Sequence, residues 1–260
     1  MVNYVTLNQR KVCFWQQNGQ DIPLVFLHGY METHAVFTSF IEQYLPNRNV
    51  IAVDIPGHGK SEMLSSTQSM PQIAAQIVAL LDVLNIESCS LYGHSMGGFV
   101  SQEIARLIPT RINVLGLLHS AVYADTEEKK GNRLREINMI NDGKLPLIAF
   151  AFMPNVVADC NYERLKPTID QWIADVETMD PKGIVSCLHA MMGRNDNRSL
   201  LNGDVPIHLI YGDMDSFLPL IAVREMEKGT AVKHLSLMEN CGHASFIECP
   251  AALAKAILSI

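Results

Sequence analysis

"LYGHSMGGFVSQEIA", residues 91–105, sets Ser95 between Gly93 and Gly97 where an apolar run gives way to a helical pattern. A chain with 16 glycines can match G-x-S-x-G by accident, so the spacing alone does not make Ser95 a nucleophile. Its setting says more. Ser88–Tyr92 reads as a strand and Met96–Ile108 as a helix, and a serine on a sharp strand-to-helix turn is the setting of a nucleophile elbow. Such a turn strains the backbone, and side chains at 93 and 97 would collide with the neighbouring strand and helix. Gly98 eases the same packing. The turn also aims the Met96 N–H, at a helix N-terminus, towards an oxyanion formed beside Ser95.

Outward from the elbow the chain alternates. Leu24–Leu27, Val50–Val53, Asn113–Leu118 and Ile207–Tyr211 are continuous apolar runs ending in turns, as expected of strands buried on both faces. Tyr4–Leu7, Lys11–Gln17 and His234–Met238 complete the strands. Helical patterns fall at Ala35–Leu45, Met70–Leu84 and Phe246–Leu258, the second with Ile73, Ile77, Leu80, Leu81 and Leu84 on one stripe. This alternation predicts an α/β fold, a mostly parallel sheet with helices on both faces. Residues 124–200 break it. They read as several helices rich in methionine and aromatic residues, among them Phe152 and Trp172. The division expected is a core of residues 1–123 and 201–260, with 124–200 a helical lid over the C-terminal edge of the sheet, where ligands bind.

A nucleophilic serine needs a base. His243, in the late loop "ENCGHASFIECP", is the candidate among nine histidines. His28 and His58 belong to turns, His208 and His234 to strands, and His34 and His189 to helical patterns. His94 should point away from its neighbour Ser95, and His119 ends a strand where it could line a pocket. The base in turn needs an acid, and "IYGDMDSFLP" offers Asp213 and Asp215. The order serine, aspartate, histidine is that of the α/β-hydrolase arrangement.

These segments together resemble the α/β-hydrolase fold superfamily, of the lid-bearing esterase, lactonase and carbon–carbon hydrolase type. "FLHGY", "DIPGHGKS", "GHSMGG", "YGDMD" and "CGHASFIECP" occur in order across nearly the whole chain. The resemblance implies an α/β-hydrolase fold with an inserted lid and a Ser95, Asp215, His243 triad. Asp215 is carried over because Gly212–Pro219 matches a G-x-x-D-x-x-x-P loop; relatives that place the acid after an earlier strand would nominate Asp125. The residue after His-Gly implies the Tyr30 backbone N–H as second oxyanion donor beside Met96. The Tyr30 hydroxyl could contact substrate, or its ring could cover a pocket wall. Arg194 could anchor a substrate carboxylate or pair with Asp196 or another surface acid.

The function implied is a serine hydrolase acting on a small carboxylic ester or lactone through an acyl-enzyme. A carbon–carbon hydrolase or a cofactor-free perhydrolase would use the same triad, and a small-ligand receptor with a retained triad is the rival from another class. No cofactor and no metal are expected, since no ligand cluster adjoins the paired aspartates in sequence. A net charge of −7 argues against a nucleic-acid partner. No apolar window approaches the ~20 residues of a membrane span, and "MVNYVTLNQRKVCFW" has no secretion-signal pattern. Six cysteines without C-x-x-C spacing read as reduced thiols in a cytoplasmic protein. The partner expected is thus a small carbonyl substrate, and the oligomeric state is not legible.

Overall fold

A computed structural model describes residues 1–260. The chain runs β1 (Val2–Leu7), β2 (Arg10–Gln17), β3 (Leu24–Leu27), α1 (Ala35–Tyr44), β4 (Val50–Val53), α2 (Met70–Val83), β5 (Cys89–His94), α3 (Met96–Leu107) and β6 (Ile112–Leu118). Four α-helices follow before the sheet resumes: α4 (Glu127–Asn141), α5 (Leu145–Phe152), α6 (Asp159–Glu177) and α7 (Pro181–Met192). The chain closes with β7 (Ile207–Gly212), α8 (Leu220–Glu227), β8 (Val232–Met238), α9 (Ser245–Glu248) and α10 (Pro250–Leu258).

The eight strands form one sheet in the order β1-β2-β4-β3-β5-β6-β7-β8. Only the β1–β2 and β2–β4 pairs are antiparallel; the others are parallel. The α/β-hydrolase fold expected from the motifs is the fold present. Every residue of β3, β4 and β7 is buried, as their unbroken apolar runs require. Strand β1, at the edge, alternates between exposed and half-buried residues until Leu7. Ser69 caps α2 and forms a reciprocal capping box with Gln72, so this helix begins where its apolar stripe does.

One local expectation needs correction. The last helix is not continuous: Cys249 takes φ −139°, ψ 55°, separating α9 from α10. Pro250 is the cause, because proline disfavours the α conformation in the residue before it. Conversely, Pro167 does not end α6, which runs through it.

Strands β3, β5, β6 and β7 lie side by side and parallel, so their C-terminal ends open on one edge. There β5 hands over to α3, and two glycines set how closely the elements meet. A Cβ on Gly93 would strike the Gly97 carbonyl oxygen, and one on Gly97 would strike the carbonyl oxygen of Leu27 in β3. Both obstacles are backbone and cannot rotate aside. We expect Gly97→Ala to lower stability by about 1–3 kcal/mol. Gly131→Ala, in α4 with nothing nearer than Arg135 Nη1 at 4.0 Å, should raise it by about 0.5–1 kcal/mol. Urea unfolding of the two variants tests this; similar shifts in both would show that the elbow has slack.

Candidate active site

Ser95 adopts φ 49°, ψ −112°, a conformation that L-residues avoid. Three hydrogen bonds hold it there. Its N–H donates to the Leu118 carbonyl at 2.9 Å, and its own carbonyl accepts from Gly98 N–H at 3.0 Å and Ser120 Oγ at 2.8 Å. The Ser95 hydroxyl is left without a partner in the protein. It faces a cavity of about 240 Å³ that Tyr30, His119, Phe152, Phe217 and His243 also line.

His243 and Asp215 meet as the motifs implied. Nδ1 of His243 lies 2.8 Å from Asp215 Oδ2, and the other carboxylate oxygen accepts from Phe217 N–H at 2.8 Å and Leu218 N–H at 3.2 Å. Burial alone would raise the Asp215 carboxyl; the neighbouring charge of His243 and hydrogen bonds from His119 and His243 outweigh it and hold the group well below the usual carboxylate range. An ionised Asp215 fixes the proton of His243 on Nδ1 and leaves Nε2 without a proton of its own. No hydrogen bond joins Nε2 to Ser95 Oγ in this structure; such bonds commonly tighten only around substrate. Asp213 faces outward and accepts the Cys241 N–H at 3.2 Å, so the two aspartates have separate tasks.

Asp125 does not reach His243. It is buried between Arg133 Nε, at 2.7 Å, and Arg194 Nη1, at 2.5 Å. Arg194 therefore pairs with an interior acid, and Asp196 pairs with Arg198 instead. The Tyr30 hydroxyl donates to Glu136 Oε1 at 2.7 Å, while its ring packs edge-on against Phe152. Trp172 does not join Phe152 at this cavity: it packs on Phe246 and lines a separate hollow of about 380 Å³ beside Met31.

His28 and His58, assigned only to turns, shape the loop after β3. Burial pushes the imidazoles of both down, leaving them neutral. Nε2 of His28 accepts the Ile55 N–H at 2.9 Å, and Nε2 of His58 accepts the Met31 N–H at 3.1 Å. On the other side of Tyr30, Gly29 N–H donates to Glu32 Oε2 at 2.6 Å. The amides flanking Tyr30 are thus engaged, whereas the Tyr30 N–H has no acceptor. Met96 opens α3, so its N–H has no preceding helical carbonyl to bond.

His119 was a pocket candidate and proves also to touch Asp215: its Nδ1 lies 3.1 Å from Oδ2. Burial outweighs that carboxylate and lowers the imidazole to about 4, so His119 is neutral. The fold thus gathers two histidines around an aspartate that has none beside it in sequence. At 2.8 and 3.1 Å, both nitrogens stand at hydrogen-bonding distance from the one oxygen.

The loop carrying His243 is held on all sides. Its N–H donates to the Val156 carbonyl at 2.9 Å, and its carbonyl accepts from His94 Nε2 at 2.8 Å. The Glu248 carboxylate takes the flanking N–H groups of Gly242 and Ala244, at 2.9 and 3.1 Å, and that of Ala158 before α6, at 2.8 Å. His94 points away from Ser95, as expected, but it does more than pack. Its Nδ1 lies 2.9 Å from Glu32 Oε2, so both ring nitrogens face acceptors and the ring is an imidazolium.

This buried Glu32–His94 pair has a pH signature. Burial would lower His94, yet Glu32 raises it above its ordinary 6.5; burial would raise Glu32, yet His94 lowers it below its ordinary 4.5. The His94 contribution is full below 6.5 and is lost as pH rises through its raised value. The Glu32 contribution is full above 4.5 and is lost as pH falls through its lowered value. Glu32→Gln should therefore cost about 3–5 kcal/mol between these limits, and less at alkaline pH. Urea midpoints across pH provide the measurement. A deficit independent of pH would contradict an ionised pair.

Comparison with known proteins places these features in context. The profile described as "Alpha/beta hydrolase family" matches residues 24–256. The AB hydrolase superfamily protein YisY of Bacillus subtilis is 26% identical, over 95% of this chain and 94% of its own. The pimeloyl-[acyl-carrier protein] methyl ester esterase of Aeromonas salmonicida is 25% identical, over 89% of this chain and 92% of its own. Among solved structures, a thermophilic esterase from Thermogutta terrifontis superposes with a TM-score of 0.90 at 21% identity, covering 100% of this chain and 97% of that one. No helix of this chain is long and apolar enough to cross a membrane.

Proposed function

We propose that this chain, which belongs to the alpha/beta hydrolase family, is a serine hydrolase that cleaves a small carboxylic ester or lactone through an acyl-enzyme. One observation carries the reading: the strained Ser95 shares a cavity with His243, whose Nδ1 is fixed at 2.8 Å by the buried Asp215. Ser95 Oγ attacks the acyl carbonyl while His243 Nε2 takes its proton. Asp215 stabilises the resulting imidazolium without accepting that proton. The tetrahedral oxyanion is held by the backbone N–H groups of Tyr30 and Met96. His243 then returns the proton to the leaving alkoxide, and a water activated by the same nitrogen releases the acid. The methyl ester esterase among the relatives supports an ester as the substrate.

Helices α4 to α7 act in this reading as a lid. Phe152 of α5 and Met191 of α7 wall the cavity that holds Ser95. Phe152→Ala should widen it and shift the preference among p-nitrophenyl esters towards longer acyl chains. A uniform loss across chain lengths would remove Phe152 from the acyl pocket.

A fluorophosphonate probe should label Ser95 and fail on Ser95→Ala; labelling that persists in the variant would sink the assignment. The aspartates separate next. Asp215→Asn should lose about 10⁴-fold in kcat while remaining folded, because the amide favours the wrong histidine tautomer. Asp213→Asn, which weakens only a cap on Cys241, should stay within roughly tenfold. The reverse order in two folded variants would make Asp213 the acid.

A further inference from the structure

The cavity that holds Ser95 is not electrically neutral. Lys129, Arg133 and Arg194 line it against a single lining carboxylate apart from the catalytic centre, Glu136. Asp125 lies behind the two arginines and faces both, but one carboxylate cannot balance two guanidinium groups. Lys129 makes no ion pair, its neighbour Lys130 being the residue that pairs with Glu127. Glu136 is occupied by the Tyr30 hydroxyl, and burial pushes its carboxyl up, which weakens it as a counter-charge. The charge of Asp215 is engaged by His119, His243 and two backbone amides.

The donors left over are as informative as the charge. Arg133 engages Asp125 through Nε, leaving both Nη groups without a protein acceptor. Arg194 is 8% exposed, yet its Nη2 has no partner either. Its guanidinium is rigidly set. Nε donates to the Tyr123 carbonyl at 3.0 Å, Nη1 to the Met191 carbonyl at 3.1 Å, and Cζ lies 4.1 Å from the centre of the Phe99 ring. A planar fork fixed against the Phe99 ring with a donor free is suited to receive an oxyanion, and a carboxylate matches it in shape. Asn132 adds a neutral polar group to the same wall.

We infer that Arg133 and Arg194, oriented by the shared Asp125, form a subsite for a carboxylate at the far end of the acyl group. The inference rests on the acyl-transfer reading of the same cavity and narrows its substrate. The substrate class is then the half-ester of a short dicarboxylic acid, or a lactone bearing a free carboxylate. Charge at that end selects such a substrate in its ground state, so the effect belongs mainly in KM.

The test compares monomethyl glutarate with methyl pentanoate, which differ in the terminal carboxylate, by following proton release. The anionic ester should be preferred about tenfold or more in kcat/KM. Arg133→Gln should remove most of that preference through KM, and Arg133→Lys should restore part of it. Lys130→Gln, on the same helix but outside the cavity, should change neither rate. Equal use of the two esters, or an equal loss of both in Arg133→Gln, would overturn the subsite. Calorimetric titration with glutarate reads the same subsite without turnover: binding should weaken about tenfold in Arg133→Gln. Glutarate binding without hydrolysis of either ester would sink the hydrolase reading and leave the subsite standing. Absence of glutarate binding would overturn the subsite itself.

Discussion

Everything at the ligand edge of this sheet depends on one residue held where it does not want to be. Ser95 at φ 49° stores about 1–3 kcal/mol of backbone strain. It persists because β5 and α3 can meet only through glycines and because Leu118, Ser120 and Gly98 bind its backbone from three sides. The strain turns the hydroxyl away from its own helix and into the cavity. The same turn brings α3 to begin at Met96, where an unbonded helical N–H is available. The cavity-facing hydroxyl and the unbonded N–H therefore have a common cause.

The partner of Ser95 is immobilised by different means. His243 sits in a loop, where the Val156 carbonyl takes its N–H. Carboxylates hold the rest of that loop: Glu248 takes the amides on either side, and Glu32 acts through the imidazolium of His94 on the His243 carbonyl. Glu32 also receives the Gly29 amide, tying the loop that carries Tyr30 to the loop that carries His243. Glu248 also receives the Ala158 amide, tying the His243 loop to the start of α6. Buried charge is expensive unless fully paired, so these carboxylates gain their foothold from the number of N–H groups each one satisfies.

Much of this was legible in the sequence, for identifiable reasons. The elbow and the strand series follow from local spacing, which survives without coordinates, whereas the choice of Asp215 over Asp213 rests on the resemblance of Gly212–Pro219 to a family loop. Neighbours distant in the chain do not announce themselves so. Nothing around Glu32 marks it as the partner of a histidine 62 residues away, and nothing around His119 marks its contact with Asp215. Arg194 was seen as an anchor or a surface ion pair, but its partner Asp125 is interior, and only the fold of α4 adds Arg133 to the pair. His28 and His58 read as turn residues because both lie in the loops that follow β3 and β4. Their work as acceptors of backbone amides depends on burial that a turn motif does not reveal.

The central claim is that chemistry passes through a covalent acyl group on Ser95. It is tested most directly by quenching the protein with acid during turnover of p-nitrophenyl butyrate and measuring the mass of its peptides. The peptide containing Ser95 should gain the mass of a butyryl group, in proportion to a pre-steady-state burst of p-nitrophenol. Turnover with no burst and no adduct, or with the adduct on another residue, would contradict it.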